Sequence, residues 1–384
     1  MVAPVADRVR DPTLEADVEA LCALVRDSVG PGERAAAALV ADRLRALGVS
    51  DVRTEPYRFQ STYAWVHALH LAAGLVGSAP LGLAALVSLE LEAGGRAQWL
   101  RRLLPRTQGA NVVARLPAAG PRRMTLVVTA HLDAAQTGLV WHPALARGAA
   151  GRRLRTRSMD PVMAPLALAL VLTALPGRWS RRVGRAGLVL GIAANLDVAR
   201  SPTVPGASDD ATGVAALLAL AAGWVKAPLP GVEVLVAAVG GEEAGMGGFK
   251  SFLDTHALDP ATTWVLGLDT LGAGTPIVAR AEGALLTHRY RPEDLAVVDA
   301  GARRAGEPPP QRWRLGAWTD PVLARHRGLP AAVLLSVGPQ GGYTDYHLPT
   351  DTPERVDWAC VRRCVAIARG VGEELAHETG GRPV

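Results

Sequence analysis

Residues 206–239 read GASDDATGVAALLALAAGWVKAPLPGVEVLVAAV. A loop of small residues brings Asp209 and Asp210 to the start of a helix, Val214 to Trp224, that is almost wholly Ala, Leu and Val. Such a helix is expected to be buried and rigid, and a carboxylate at its start meets the positive end of the helix dipole. Taken alone, Asp210 reads as an N-cap or first-turn residue and Asp209 as a solvated loop residue. The run VEVLVAAV, Val232 to Val239, is then a strand.

Downstream the alternation continues, with helix Gly247 to His256, strands Thr263 to Leu268 and Pro276 to Ala279, helix Pro292 to Ala305, strand Ala331 to Ser336 and a last helix from Val356 to Leu375. Upstream lie two amphipathic helices, Leu14 to Ser28 and Gly32 to Leu47, and strands at Val52 to Phe59, Ala110 to Leu116 and Thr125 to Ala130. This grammar predicts an α/β protein, a three-layer α/β/α sandwich with a mostly parallel central sheet. In such sheets ligands bind beyond the carboxyl ends of the strands.

Two segments depart from that pattern. Ala64 to Leu89 carries no formal charge, and Gly77-Ser78-Ala79-Pro80 in its middle predicts two short helices folded back on each other. Between Trp141 and Arg200, the apolar runs Pro161 to Gly177 and Ala186 to Leu196 are separated by Arg178, Arg181, Arg182 and Arg185. That segment holds ten arginines against Asp160 and Asp197, a net of +8 where the whole chain is +5, so the positive charge is local. The expected organisation is a catalytic domain from residues 1–60, 108–140 and 203–384, with apolar helical insertions at 61–107 and 141–202. Together the insertions are expected to form a helical subdomain that serves as a lid, a homodimer surface or a peripheral attachment to an anionic membrane. Full spanning is disfavoured by the length of the runs.

The 384 residues, 49% of them apolar, suffice for a sizeable core. Cys22, Cys360 and Cys364 fit neither a disulfide framework nor a zinc knuckle, and a reducing compartment suits them. Met1 to Glu19 has no apolar run, so the expectation is a cytoplasmic protein without a cleavable signal peptide. Nucleic acid is not expected as a partner, because the arginines flank apolar runs with little aromatic interleaving.

Candidate ligands collect where the sheet predicts them. His131 and Asp133 follow TLVVTA, Glu242 and Glu243 follow VEVLVAAV through Gly240-Gly241, Asp269 follows WVLGL, and His347 lies in the loop after AAVLLS. Singly, each reads as a loop cap or a hydrogen-bonded histidine. As a set they suit a pair of divalent ions, since one shared carboxylate can hold two cations about 3.5 to 4 Å apart.

The motifs His131-Leu132-Asp133, Gly206 to Gly213, Gly241-Glu242-Glu243-Ala244-Gly245, Leu268-Asp269 and Tyr346-His347-Leu348-Pro349-Thr350-Asp351-Thr352 resemble, in order, those of the M28 family of co-catalytic di-zinc peptidases. Pro31-Gly32-Glu33-Arg34 resembles the family's N-terminal segment. The resemblance covers about residues 15–60 and 108–376 apart from the insertions. It implies an exopeptidase that hydrolyses the N-terminal peptide bond of a peptide substrate with a water bridging two Zn²⁺ ions. It further implies that Asp209 bridges both metals, that His131 and Asp269 complete one site, and that Glu243 and His347 complete the other. Glu242 is then the general base, Asp133 fixes the His131 tautomer, and the bond between Asp209 and Asp210 is cis. Tyr343 and Tyr346 fall near His347, and Asp320 near the substrate pocket. The chain departs from the family in the 75 residues between Asp133 and Asp209, which are expected to roof the cleft. The alternatives are another di-zinc amidohydrolase, such as a deacylase or carboxypeptidase, and a catalytically silent binding protein of the same fold.

Overall fold

The computed structural model describes residues 12–146 and 149–380. The first eleven residues, part of the stretch that bears on a leader, lie outside them. Nine strands form one sheet: β1 (Asp51–Phe59), β2 (Thr107–Leu116), β3 (Ala119–His131), β4 (Pro230–Val239), β5 (Thr263–Leu268), β6 (Thr275–Glu282), β7 (His288–Arg289), β8 (Gln311–Arg314) and β9 (Ala331–Val337). The helices are α1 (Pro12–Cys22), α2 (Pro31–Ala46), α3 (Ala64–Val76), α4 (Ala79–Ala93), α5 (Pro143–Ala146), α6 (Ala150–Thr156), α7 (Ala164–Ala174), α8 (Arg178–Val198), α9 (Thr212–Lys226), α10 (Gly247–Thr255), α11 (Pro292–Arg304), α12 (Pro321–His326) and α13 (Trp358–Gly380).

The strand order is β1-β2-β4-β3-β5-β9-β6-β7, with β8 paired to β6. Its centre, β4-β3-β5-β9, is parallel, whereas β1/β2, β2/β4, β6/β9 and β6/β7 are antiparallel. The sheet is therefore mixed, not mostly parallel as the alternation led us to expect. The physical reason is visible at β5 and β6. Only residues 269–274 join them, too few for the crossover a parallel neighbour needs, so β6 instead lies antiparallel beside β9. The two-residue β7 and four-residue β8 are too short to show a period in the sequence.

The central strands are apolar throughout because helices bury them, and Val127, Val128, Val236 and Val333 have no exposed surface. Helix α9 is buried from Thr212 to Leu218 and packs on α1, α13 and the sheet, a firm mount for the loop at its start. Helix α1 stops at Cys22, well short of the expected Ser28. Beyond it the chain runs beside residue 134, with Ala134 N–H donating to the Arg26 carbonyl at 2.8 Å, and this carries Arg26 inward.

Within residues 61–107 and 141–202, α3, α4, α7 and α8 pack on one another around Leu71, Ala85, Leu89, Leu170 and Leu188. The arginine cluster, read from sequence as a separator, is the first half of the 21-residue α8. Among the described residues no helix is long and apolar enough to cross a membrane.

Candidate metal centre

Every motif residue arrives at the carboxyl edge of the parallel strands. β3 ends on His131, β4 runs into Gly240-Gly241-Glu242-Glu243, β5 is followed by Asp269, and the loop after β9 returns with His347. Asp209 and Asp210, joined by a cis peptide bond, enter from the start of α9.

Asp209 lies between the two histidines. Its Oδ1 is 3.1 Å from His131 Nε2, and its Oδ2 is 3.5 Å from His347 Nε2. His347 Nε2 is also 3.2 Å from Glu243 Oε2. Candidate ligand atoms of His131, Asp209 and Glu243 lie within 4.8 Å of one another, as do those of His131, Asp210 and Asp269. Asp210, however, is already committed to the backbone. Its Oδ2 accepts from His131 N–H at 3.0 Å, and its Oδ1 from Thr270 N–H and Gly213 N–H at 3.0 and 3.1 Å. It thereby fastens three motifs together. Asp269 instead accepts a single hydroxyl, from Thr270 at 2.6 Å.

The surrounding scaffold fixes each loop through charge-assisted hydrogen bonds to backbone N–H groups. The Asp133 carboxylate accepts from Ser28 Oγ at 2.6 Å and from the N–H groups of Glu242 and Glu243, both at 3.1 Å. The nearest acceptor for His131 Nδ1 is the Asp133 backbone carbonyl at 3.1 Å, with the carboxylate 3.7 Å away. Asp133 therefore orients His131 chiefly through its main chain and the Glu242-Glu243 turn through its side chain. With Nδ1 donating, Nε2 presents its lone pair to the cleft. Asp351, from the Tyr346 to Thr352 motif, accepts from Ser208 and Asp209 N–H at 2.8 and 3.1 Å and so braces the Asp209 loop.

Of the residues that brace the site, Arg26 and Trp141 left no signal in the sequence, whereas Gly206, Glu33, Tyr343 and Tyr346 lie in or near its motifs. Arg26, fully buried, donates to four carbonyls, those of Leu132, Asp133, Pro205 and Gly206, and so ties the His131 loop to the Asp209 loop. A side chain at Gly206, whose φ is +62°, would strike the Asp209 carbonyl and the Arg26 guanidinium. Glu33, in the Pro31-Gly32-Glu33 motif, accepts from Val29, Ala110 and Gly241 N–H at 2.7, 3.0 and 2.8 Å and from Tyr57 Oη at 2.9 Å. It pins the turn ahead of Glu242. Trp141 sets its edge against the His347 ring at a centroid distance of 4.4 Å, while Tyr346 stacks on it at 3.8 Å. Tyr343 lies behind, 5.0 Å from Tyr346.

The second insertion leaves and returns beside this cleft, where Gln136 pairs with Thr203 and Val204 N–H donates to the Ala135 carbonyl at 2.9 Å. From the first insertion, Arg101 forms a buried ion pair with Glu92 at 2.6 Å and donates to the Ala244 carbonyl, next to Glu243.

Burial pushes the carboxyls of Glu242, Glu243 and Asp210 up, and Asp269 up to about 6, with the repulsion of Asp209 adding to the last. Burial works the same way on Asp209, but His131 and His347 on either side hold it below the usual carboxylate range. Against burial, Glu243 and Asp209 raise His347 to about 9. Glu282 and Asp320 extend the acidic field, with Asp320 within reach of the His131 charge. Glu282, pushed up to about 7 by burial, accepts from Tyr290 Oη and from Thr319, whereas the buried Asp320 Oδ1 has no partner.

This donor set fits dications. Asp209, Glu242, Glu243 and Asp269 crowd a buried cleft in which imidazoles are the nearest cations, and Glu243 Oε1 and both His347 ring nitrogens make no hydrogen bond. Four carboxyls against two imidazoles leave negative charge in excess, which is costly when buried unless a further cation offsets it.

Residues 185–371 match the family model described as Peptidase family M28. That stretch contains Asp209, Glu242, Glu243, Asp269 and His347, while His131 and Asp133 precede it. Solved structures agree in fold across nearly the whole chain. An aminopeptidase from Aneurinibacillus sp. strain AM-1 matches with a TM-score of 0.57 at 16% identity, covering 97% of this chain and 94% of that one. The zinc aminopeptidase BSAP from Bacillus subtilis matches at 0.56 and 12%, covering 94% and 93%. A glutaminyl cyclase from Fimbriiglobus ruber matches at 0.56 and 14%, covering 96% of each. No curated protein matches the sequence.

Proposed function

We propose that the protein is a di-zinc aminopeptidase that removes the N-terminal residue of a peptide. The observation that carries this reading is the Asp209 carboxylate set between the Nε2 atoms of His131 and His347, at 3.1 and 3.5 Å, with Glu243 flanking the second. In this reading Asp209 holds both ions, His131 and Asp269 complete one site, and Glu243 and His347 complete the other. When bound, the two zinc ions supply Lewis-acid polarisation of the scissile carbonyl and a water of lowered pKa.

The chain's own part is proton handling and placement. Glu242 makes no contact with either histidine of the kind Glu243 makes, and its carboxyl sits above its usual range because burial disfavours the charge. A carboxyl poised nearer neutrality is suited to take a proton from the attacking water and give it to the leaving amine. Asp133 positions both glutamates through their N–H groups, so base and ligand cannot exchange places by a turn of the loop.

In this reading the partnerless Asp320 Oδ1 is offered to a free substrate amine, whose positive charge would offset the burial and neighbouring carboxylates that push the Asp320 carboxyl up, as a neutral N-acyl group would not. This supports an aminopeptidase over a deacylase. A peptide with an N-terminal glutamine carries the same free amine, so the products separate the two reactions: cyclisation closes a ring and releases no N-terminal residue. The test is metal analysis with assays of aminoacyl amides, their N-acetylated counterparts and an N-terminal glutaminyl peptide. Release of the N-terminal residue from free-amino substrates alone is expected. Turnover of the acetylated set, or cyclisation without release, would reject the assignment.

A further inference from the structure

The outer surface of α3, α4, α7 and α8 is built the wrong way round for water. Among the described residues, Trp65, Leu69 and Val76 on α3, Leu81, Leu83 and Val87 on α4, Leu168 on α7, and Trp179, Val183, Val189 and Leu190 on α8 are exposed, Val76 by 83% and Leu190 by 70%. The polar groups face inward. Glu92 is fully buried against Arg101, Glu90 accepts from Leu285 and Leu286 N–H, and His70 is hydrogen-bonded between the Val66 carbonyl and Ser88. An ordinary surface helix places its charges outside, and an apolar face of this extent marks an interaction surface.

The charge on this unit gathers at one end. Arg178, Arg181, Arg182 and Arg185 occupy the start of α8, are all exposed, and form no ion pair among the described residues. Four cations at a helix start oppose the dipole, so they do not serve the stability of α8. Arg178 and Arg182 lie over Trp179 at 5.8 and 5.3 Å, an aromatic and basic rim of the kind found at a bilayer surface. Beside it, the turns of the two helical hairpins enclose a cavity of about 270 Å³ lined by Gly77, Ser78, Leu175, Pro176, Arg181 and Arg185. That cavity offers two guanidinium groups for a phosphate and apolar walls for what is attached to it.

We propose that this face docks on an anionic phospholipid bilayer, with Arg181 and Arg185 binding a lipid phosphate and the apolar faces of α3, α4, α7 and α8 entering the headgroup and acyl boundary. The charge complementarity and the two-arginine cavity favour anionic lipid over a second copy of the chain, whose matching face would bring the same arginines together. Helix α3 is 13 residues long and α4 is 15, about 20 Å and 22 Å, and the 21-residue α8 carries four arginines in its first half, so the attachment enters one leaflet and does not cross. It stands whether or not the metal centre acts as proposed.

The experiment is flotation of the full-length, detergent-free protein with phosphatidylcholine vesicles and with vesicles containing phosphatidylglycerol. Flotation is expected with the anionic vesicles, weakening as salt is raised. Arg181→Gln with Arg185→Gln should lose roughly 30-fold in partition, from about a fivefold contribution of each arginine near an anionic surface. Leu83→Gln with Val87→Gln on α4, or Val189→Gln with Leu190→Gln on α8, should weaken it at either composition while near-UV circular dichroism stays unchanged. Wild-type protein that stays unbound with both vesicles would overturn the proposal. So would a solution dimer that the α4 or α8 variants dissociate, or equal partition onto neutral and anionic vesicles by wild type and arginine variant alike.

Discussion

The cleft at the strand ends and the helical unit beside it solve opposite problems with the same backbone. In the cleft, charge is buried, and the supporting carboxylates Glu33, Asp133, Asp210 and Asp351 are each fixed by backbone N–H groups. In the helical unit, polar groups are turned inward and the outer face is hydrocarbon. The contrast teaches where to look for the partner of each region. Buried carboxyls in excess of their imidazole partners point to a cation bound inside, and an exposed apolar face with a cationic rim points to a surface bound outside.

The sharpest way to break the comparison is through the two glutamates. Glu242→Gln should keep bound metal yet lower turnover by roughly 10² to 10⁴, the usual worth of a positioned proton-transfer group. Glu243→Gln should instead release metal. If metal content fell in the first and held in the second, the roles would be reversed.

Next in size is Arg26→Ala. It leaves four buried carbonyls facing each other without their donor and should cost about 3 to 5 kcal/mol in a denaturant melt. The same melt with an unchanged midpoint would show that the two metal loops are held by other contacts.

Glu33→Gln should act on the cleft at a distance. One amide oxygen cannot replace a carboxylate that accepts from Val29, Ala110 and Gly241 N–H, so zinc affinity should fall by roughly 10- to 100-fold, as when outer-shell partners of a ligand are lost. Competition with a chelator measures this. By contrast, Leu83→Gln with Val87→Gln on the outer helical face should change stability by no more than about 0.5 kcal/mol each, because neither side chain leaves a core. A large loss of stability there would mean that the face is packed in the native assembly.

The sequence announces the cleft's donor set because residues that are ordinary one by one recur together, in motif order, at strand ends and a helix start. His131, Asp209, Glu242, Glu243, Asp269 and His347 each follow a strand or precede a helix, and the structure brings them to one edge of the sheet. The residues that brace them are not legible in the same way. Arg26 reads as a basic residue in the last turn of the expected helix Leu14 to Ser28, and its four partners lie more than 100 positions away. Trp141 contacts His347 only because the second insertion folds back across the cleft. The parallel character of the sheet was overstated because alternation of strands and helices does not reveal strand order, and β6 follows β5 too closely for a crossover. The full length of α8 did have a signal, since Gly184, Leu188, Gly191, Asn195 and Val198 are buried at steps of three and four, but the arginines between the apolar runs masked it.

The most direct test of the account is the metal content of purified Asp209→Ala beside the wild type. A carboxylate that serves both ions cannot be removed from one alone, so the wild type should hold about two zinc ions per chain and the variant should lose both together. A variant that retains one or two tightly bound ions would contradict the bridging role of Asp209, and with it the centre as assigned.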